Sequence, residues 1–210
     1  MTKITPSEAV TRAMQALGRN NIEAFYATDK EHLLEIVDGL LPEGCLAAFG
    51  GSMTLYETGL IDYLRGGRVN LLDRDKAGLA PAEVQKVFRD SFWADAYFMS
   101  SNAVTEEGEL YNIDGNGNRV AALCFGPAQV IVVVGENKLV ANLDEAIQRT
   151  RAVAAPKNAK RLGVNTGCIK TGRCIDCHTP QRICRSYVRT AFQANPDRIK
   201  VIFVAGSWGY

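Results

Sequence analysis

"QVIVVVGENKLV", residues 129–140, sets five consecutive β-branched residues, Val130 to Val134, before a glycine and a polar turn that holds one lysine, Lys138. An unbroken apolar run of this length, with no polar alternation, reads as a strand buried on both faces. That is the mark of a parallel sheet covered by helices. The run is far too short to span a bilayer. Strands of the same kind lie on either side of it: "CLAAF" at 45–49, "VNLL" at 69–72, "ADAYFMS" at 94–100 and "IKVIFVAG" at 199–206.

Helical segments fill the intervals. "TPSE" at 5–8 predicts a helix start with Thr5 as cap, Pro6 at the first helical position and Glu8 closing a capping box. "TDKE" at 28–31 repeats the device with Thr28 and Glu31. It opens a helix whose Leu33, Leu34, Ile36, Val37 and Leu40 fall on one side. Val84, Val87 and Phe88 mark another helix, and "LDEAIQRTRAVAA" follows Asn142 as its cap. The alternation predicts one α/β domain over 1–210: a Rossmann-like, three-layer, mainly parallel sheet with helices on both faces. Two segments break the rhythm. "ELYNIDGNGNRVAAL" at 109–123 reads as a hairpin insertion, two strands joined by an Asn/Gly-rich turn. Residues 163–185 read as a long Cys-rich loop, which in a compact domain is functional or held by something.

The 210 residues are 47% hydrophobic and 22% charged, with 24 Lys and Arg against 23 Asp and Glu, a formal net charge of +1. This balance points to neither nucleic acid nor an anionic membrane as partner. "MTKITPSEAV" lacks the apolar core of a signal peptide, so a cytoplasmic location is expected. Thiols there stay reduced, and a disulfide framework is not expected. Cys45 and Cys124, in "GCLAAFG" and "AALCFG", read as buried small side chains.

Chemistry can reside in three places. Gly50-Gly51-Ser52, between a strand and a helix with Thr54 in its first turn, suits a phosphate or carboxylate, since backbone N–H groups and hydroxyls meet there. Glu106, Glu107, Asp114, Asn118, Arg119 and Lys138 are polar residues beside buried strands. Arg119 could clamp an anion with its two-pronged guanidinium. Lys138 falls at the same sheet end as the Gly-Gly-Ser loop, and the carboxylates are candidate general bases. The third place is Cys168-x5-Cys174-x2-Cys177-His178-x5-Cys184. Four thiols in one loop suit zinc or an iron–sulfur cluster, and redox-active or purely structural thiols are the alternatives. His178 reads as a bystander. Between Lys157 and Arg189 eight basic residues stand against a single acid, Asp176, which favours thiolates, an anionic metal–thiolate centre or an acidic partner.

"GGSMTL", "NIDGNGNRVAA", "GPAQVIVVVGENKLV", "TGRCIDCHTPQRIC" and "IKVIFVAGSWGY" together resemble the LUD (lactate utilisation) domain family, in particular its stand-alone members with a Cys-rich segment near the end. The resemblance implies the fold of ribose-5-phosphate isomerases, glucosamine-phosphate deaminases and CoA-transferases. It places Gly50, Gly51, Ser52 and Thr54 in the loop that binds phosphate or substrate oxygens, with Lys138 lining the same site. Glu106-Glu107-Gly108 loosely matches the Glu-x-Gly of CoA-transferases, which carries a nucleophilic glutamate. Some relatives oxidise L-lactate to pyruvate beside iron–sulfur proteins. The first functional expectation is therefore an accessory component of such a redox system. It would have a metal or iron–sulfur site at Cys168, Cys174, Cys177 and Cys184, and a pocket for a small carboxylate or phosphate. The second is an enzyme on a phosphosugar, CoA ester or nucleotide, with structural cysteines. A scaffold with a vestigial pocket is the third.

Overall fold

In a computed structural model that describes residues 4–210, the run Gln129–Gly135 is an inner strand of a six-stranded sheet. The first three residues of the N-terminal stretch read for a leader lie outside the described ones. In chain order the strands are β1 (Glu23–Ala27), β2 (Leu46–Phe49), β3 (Asn70–Leu72), β4 (Ala96–Met99), β5 (Ala103–Thr105), β6 (Leu110–Asp114), β7 (Gln129–Gly135), β8 (Leu139–Val140), β9 (Ser186–Thr190) and β10 (Ile199–Val204). The helices are α1 (Glu8–Arg19), α2 (Lys30–Leu40), α3 (Met53–Glu57), α4 (Leu60–Arg65), α5 (Pro81–Asp90), α6 (Asn118–Cys124), α7 (Leu143–Arg149), α8 (Ala155–Arg161) and α9 (Gly167–Thr171).

The main sheet runs β1-β10-β7-β4-β2-β3, with every pairing parallel. Side chains of β7 alternate between two cores, as a period of two demands. Val130, Val132 and Val134 pack with Leu17 of α1 and Leu123 of α6, whereas Ile131 and Val133 pack with Leu33 and Val37 of α2 and Leu60 and Leu64 of α4. All five are fully buried, so the apolar run and the three-layer architecture have one cause. Sequence reading missed β1. It is an edge strand whose "EAFYA" is partly exposed along most of its length.

The expected insertion is present in a different form. A second sheet, β8-β5-β6-β9, contains an antiparallel β5–β6 hairpin that turns at Glu106–Gly108, not at the Asn/Gly segment. After β6 the chain enters α6. Asp114 Oδ1 accepts from the amides of Asn116 and Gly117, and Gly117 takes φ +82° just before the helix. "NRVAALC" buries Val120 and Leu123 at helical spacing, and this wins over the hairpin reading. Cys124 is one residue past that stripe and is exposed, contrary to expectation, while Cys45 is buried as expected. None of the six cysteines is in a disulfide.

Two caps shift as well. Ser7, not Thr5, caps α1 by accepting from the Val10 amide at 3.3 Å, which leaves Pro6 outside the helix and Glu8 in its first turn. Asp29 displaces Thr28 at α2 because its carboxylate, a stronger acceptor than a hydroxyl, takes the His32 amide at 2.8 Å. Asn142 caps α7 as expected, accepting from Glu145 at 3.0 Å. Between α7 and α8 the helix loosens into a π turn over Thr150–Ala154, just before Pro156, whose ring and missing N–H an unbroken α-helix does not accommodate.

Gly108, at φ +80°, is pressed against α1: a Cβ there would stand 2.4 Å from the Ala16 carbonyl carbon. Gly108→Ala is expected to cost about 2–4 kcal/mol, combining left-handed strain with a backbone clash. Urea unfolding checks this. An unchanged midpoint would show that the β5–β6 turn is not fixed against α1.

Candidate functional site

Parallel strands deliver their following loops to one end of a sheet, where ligands sit. Here the carboxyl ends of the neighbouring β2, β4 and β7 open on one cavity of about 230 Å³. Gly51, Ser52 and Met53 enter it from β2, Ser100, Ser101 and Asn102 from β4, and Lys138 from the turn after β7. Asp114, Asn118 and Arg119 come from the β6–α6 junction, and Arg74 follows β3. Ala155, Asn158 and Arg161 of α8 close the far side with Tyr210.

Lys138 is the most unusual group. Its side chain is 3% exposed, and Nζ donates to Thr54 Oγ1 at 2.6 Å and to Ser100 Oγ at 2.8 Å. Thr54 gives its own proton to the Trp208 carbonyl at 3.1 Å. Burial first, then the positive charges of Arg149 and Arg119, pull the Lys138 pKa down to about 7, with Glu57 opposing.

Arg119 is tied to the protein through both terminal nitrogens. It donates to the carbonyls of Ser100 (2.9 Å) and Ile113 (2.7 Å) and to the side chains of Asn112 (2.6 Å) and Asn102 (3.3 Å). Its Nε faces Asp114 Oδ2 at 3.4 Å. These four bonds occupy the NH1 and NH2 donors, and Nε makes an ion pair with Asp114 without a hydrogen bond. The arginine expected as an anion clamp is thus tied to the protein through its terminal nitrogens while it lines the cavity. Burial lowers its pKa, and Asp114 counteracts that.

Arg74, which sequence reading missed, is the arginine of the cavity with donors to spare. Its guanidinium stacks on Phe88 at 4.6 Å and lies beside Gly51, where NH1 would be 3.5 Å from an added Cβ. The buried Nε has no hydrogen-bond partner, and Asp75 Oδ1 at 3.4 Å is not aligned for one. The signal was its place two residues after "VNLL", at the carboxyl end of a parallel strand. Arg161, also missed, is exposed and donates through Nε to the Tyr210 hydroxyl at 2.9 Å.

Other expected residues scatter. Gly50 sits behind the cavity wall: a Cβ there would meet Arg119 and the Tyr97 hydroxyl at 3.0 Å. Thr54 is buried and reaches the site only through Lys138. The helix after Gly-Gly-Ser has five residues, too short for the helix-terminal anion site that was expected there. Glu106 pairs with Arg12 of α1 at 2.7 Å, and the Glu107 carbonyl accepts from Asn20 at 3.0 Å. Both belong to the β5–β6 turn and neither lines the cavity. Asp114 is the one carboxylate lining it, against Arg74, Arg119, Lys138 and Arg161.

The four loop cysteines, Cys168, Cys174, Cys177 and Cys184, line a second, small cavity of about 20 Å³ that shares Ala155 and Ile183 with the first. His178 does not line it. Arg182 holds the loop in shape: it donates to the carbonyls of Cys184 (2.6 Å) and Cys177 (2.8 Å), to Asp176 (2.7 Å) and to the Tyr187 hydroxyl (2.7 Å). Burial and then the proximity of Cys174, Cys168 and Cys177 push the Cys184 thiol up to about 11, partly offset by Arg182. Four thiols on one cavity fit the donor chemistry of a thiophilic metal. Among the described residues, however, no group of three or more His, Cys, Asp or Glu is arranged to hold an ion. Closing such a site needs the irregular chain between Thr171 and Ser186 to draw the sulfurs together.

The family model for the LUD domain matches residues 10–204, from α1 through the last strand of the sheet, and includes the Gly-Gly-Ser loop, Arg74, Arg119, Lys138 and all four loop cysteines. The chain belongs to the LUD domain family. A solved structure of a DUF162 family protein from Deinococcus radiodurans is similar to this LUD-domain protein, with a TM-score of 0.52 at 16% sequence identity over 97% of this chain and 99% of that one. At that identity the likeness concerns the fold. No curated protein matches significantly. Among the described residues of the LUD-domain chain, no helix is long and apolar enough to cross a membrane.

Proposed function

We propose that the protein binds a small organic anion, a lactate-type carboxylate, in the cavity around Lys138, and serves lactate utilisation as an accessory component of a redox system. The observation that carries this reading is the charge imbalance of the cavity. Four cationic side chains face it with one carboxylate, and that carboxylate is held by Arg119. Arg74 retains unpaired donors beside Gly51, where an incoming carboxylate would find a fork of matching geometry. Ser52, Ser100 and Asn118 add groups for a hydroxyl or carbonyl oxygen.

Titration calorimetry with lactate, pyruvate and inorganic phosphate tests it. Lactate or pyruvate is expected to bind, and Arg74→Ala to weaken binding roughly ten- to hundredfold, the worth of a charge-assisted hydrogen-bond pair. Binding of phosphate or a phosphosugar with no response to carboxylates would move the reading to the phosphosugar, CoA-ester or nucleotide enzyme.

Cys168, Cys174, Cys177 and Cys184 are the residues that would hold zinc or an iron–sulfur cluster in this reading. Zinc would fix the loop, and a cluster would carry electrons. Support comes from their sharing one cavity next to the anion pocket. The basic residues around the loop, among them the exposed Lys170, Arg173 and Arg185, would face an acidic redox partner. After anaerobic purification, about one metal centre per chain is expected, and the Cys174→Ser/Cys177→Ser double variant is expected to lose it. Equal metal content in both proteins would remove the ligand assignment.

A further inference from the structure

Anion binding alone does not account for how Lys138 is held. A lysine that serves an anion as a cation is normally left exposed or paired. Lys138 is buried under the C-terminal segment, is in no ion pair among the described residues, and directs Nζ at two hydroxyls, Thr54 and Ser100. Both hydroxyls direct their own protons elsewhere, Thr54 to the Trp208 carbonyl and Ser100 toward the Ser101 carbonyl at 3.4 Å. They therefore accept from the amine. An uncharged amine has two N–H bonds, and these two acceptors take both. Its lone pair then occupies a remaining tetrahedral position, and the residue lines the cavity.

We infer that Lys138 is an imine-forming lysine: its amine condenses with the carbonyl of a 2-oxo acid whose carboxylate lies against Arg74 beside Gly51. This rests on the anion-pocket reading and deepens it, since the oxidation product of a 2-hydroxy acid is a 2-oxo acid. The amine nitrogen bonds to the carbonyl carbon, and the C=O π electrons become an alkoxide that takes up a proton. The carbinolamine then expels its oxygen as water while nitrogen loses its protons, leaving C=N. One amine and one carbonyl give one imine and one water, with no oxidant or reductant required. Desolvation, the neighbouring arginine charges and a pKa near 7 keep a large share of the amine unprotonated and nucleophilic at neutral pH. Arg119 contributes to this by holding Ser100 and Asn102 in place through its hydrogen bonds.

The test is reductive trapping of the whole protein with pyruvate and sodium borohydride, followed by peptide mass spectrometry. Calorimetric binding of pyruvate is measured alongside. The expected result is about one carboxyethyl adduct per chain at Lys138, none with lactate, which lacks the carbonyl, and none at this position in Lys138→Met. Pyruvate binding without an adduct at Lys138 overturns the imine and leaves the anion pocket standing. Absence of both binding and adduct overturns the imine together with the pocket reading. Adducts spread over exposed lysines overturn it as non-specific chemistry. The position of the adduct in the wild-type protein decides the matter even if the methionine variant fails to fold.

Discussion

Arg119→Ala is expected to destabilise the protein by about 3–5 kcal/mol, the size of effect seen when one partner of a buried charge pair is removed. The side chain is buried at the junction of both sheets, where it joins the end of β4 (Ser100), β6 (Asn112, Ile113, Asp114) and the loop leading into β5 (Asn102). Truncation removes one bond each from the Ser100 and Ile113 carbonyls and the Asn112 and Asn102 amide oxygens and takes away the ion-pair partner of Asp114, and no other cation lies within ion-pair distance of Asp114 among the described residues. The conservative change Arg119→Lys would not restore them, because a point ammonium cannot reproduce a five-donor fork. Thermal and urea unfolding of Arg119→Ala and Arg119→Lys measure this. Loss of ligand affinity at wild-type stability would restore Arg119 to the role of anion clamp.

Lactate affinity is expected to be flat below about pH 7 and to fall by up to tenfold per pH unit above it. The free protein titrates Lys138 near 7. A bound carboxylate favours the charged amine and raises that pKa, so above pH 7 binding takes up a proton. Removing protons from solution then opposes it. Calorimetry between pH 6 and 9 in buffers of different ionisation heat would report the proton directly. In Lys138→Met the pH dependence is expected to vanish and the affinity to drop. Stability follows from the same shift. The folded pKa lies below the ordinary lysine value of 10.5, so the folded state holds fewer protons than the unfolded chain between about 7 and 10.5. Burial of the ammonium is therefore a penalty that is fully present below pH 7 and is relieved as pH rises. Relative to Lys138→Met, the wild-type protein is expected to gain about 1.4 kcal/mol per pH unit within that window. Parallel stability curves for the two proteins would mean that Lys138 is charged in the folded state throughout.

Much of the architecture was legible because it depends on local pattern. Five β-branched residues in a row have two buried faces whatever they pack on, and "VNLL", "ADAYFMS" and "IKVIFVAG" obey the same logic. The exceptions have local competitors. "NIDGNGNRVAA" contains both a hairpin turn and a helix repeat, and the burial of Val120 and Leu123 decided between them. Asp29 stood next to Thr28 and took the cap as the stronger acceptor. Glu106 and Glu107 looked catalytic beside buried strands, but Gly108 puts them in a turn folded against α1.

From the sequence alone came the parallel sheet, the placing of Lys138 and the Gly-Gly-Ser loop at one end of it, and four thiols in one loop. Each follows from neighbours in the chain, through the strand period or the position of a residue just after a strand. Which cations are available was settled only by the tertiary structure. Arg74 and Arg119 are both arginines beside predicted strands, yet one stacks on Phe88 with donors to spare and the other has both terminal nitrogens bonded to the protein. A guanidinium is free or committed according to the acceptors that folding brings to it. Those acceptors lie on other strands and leave no mark in the sequence around the arginine.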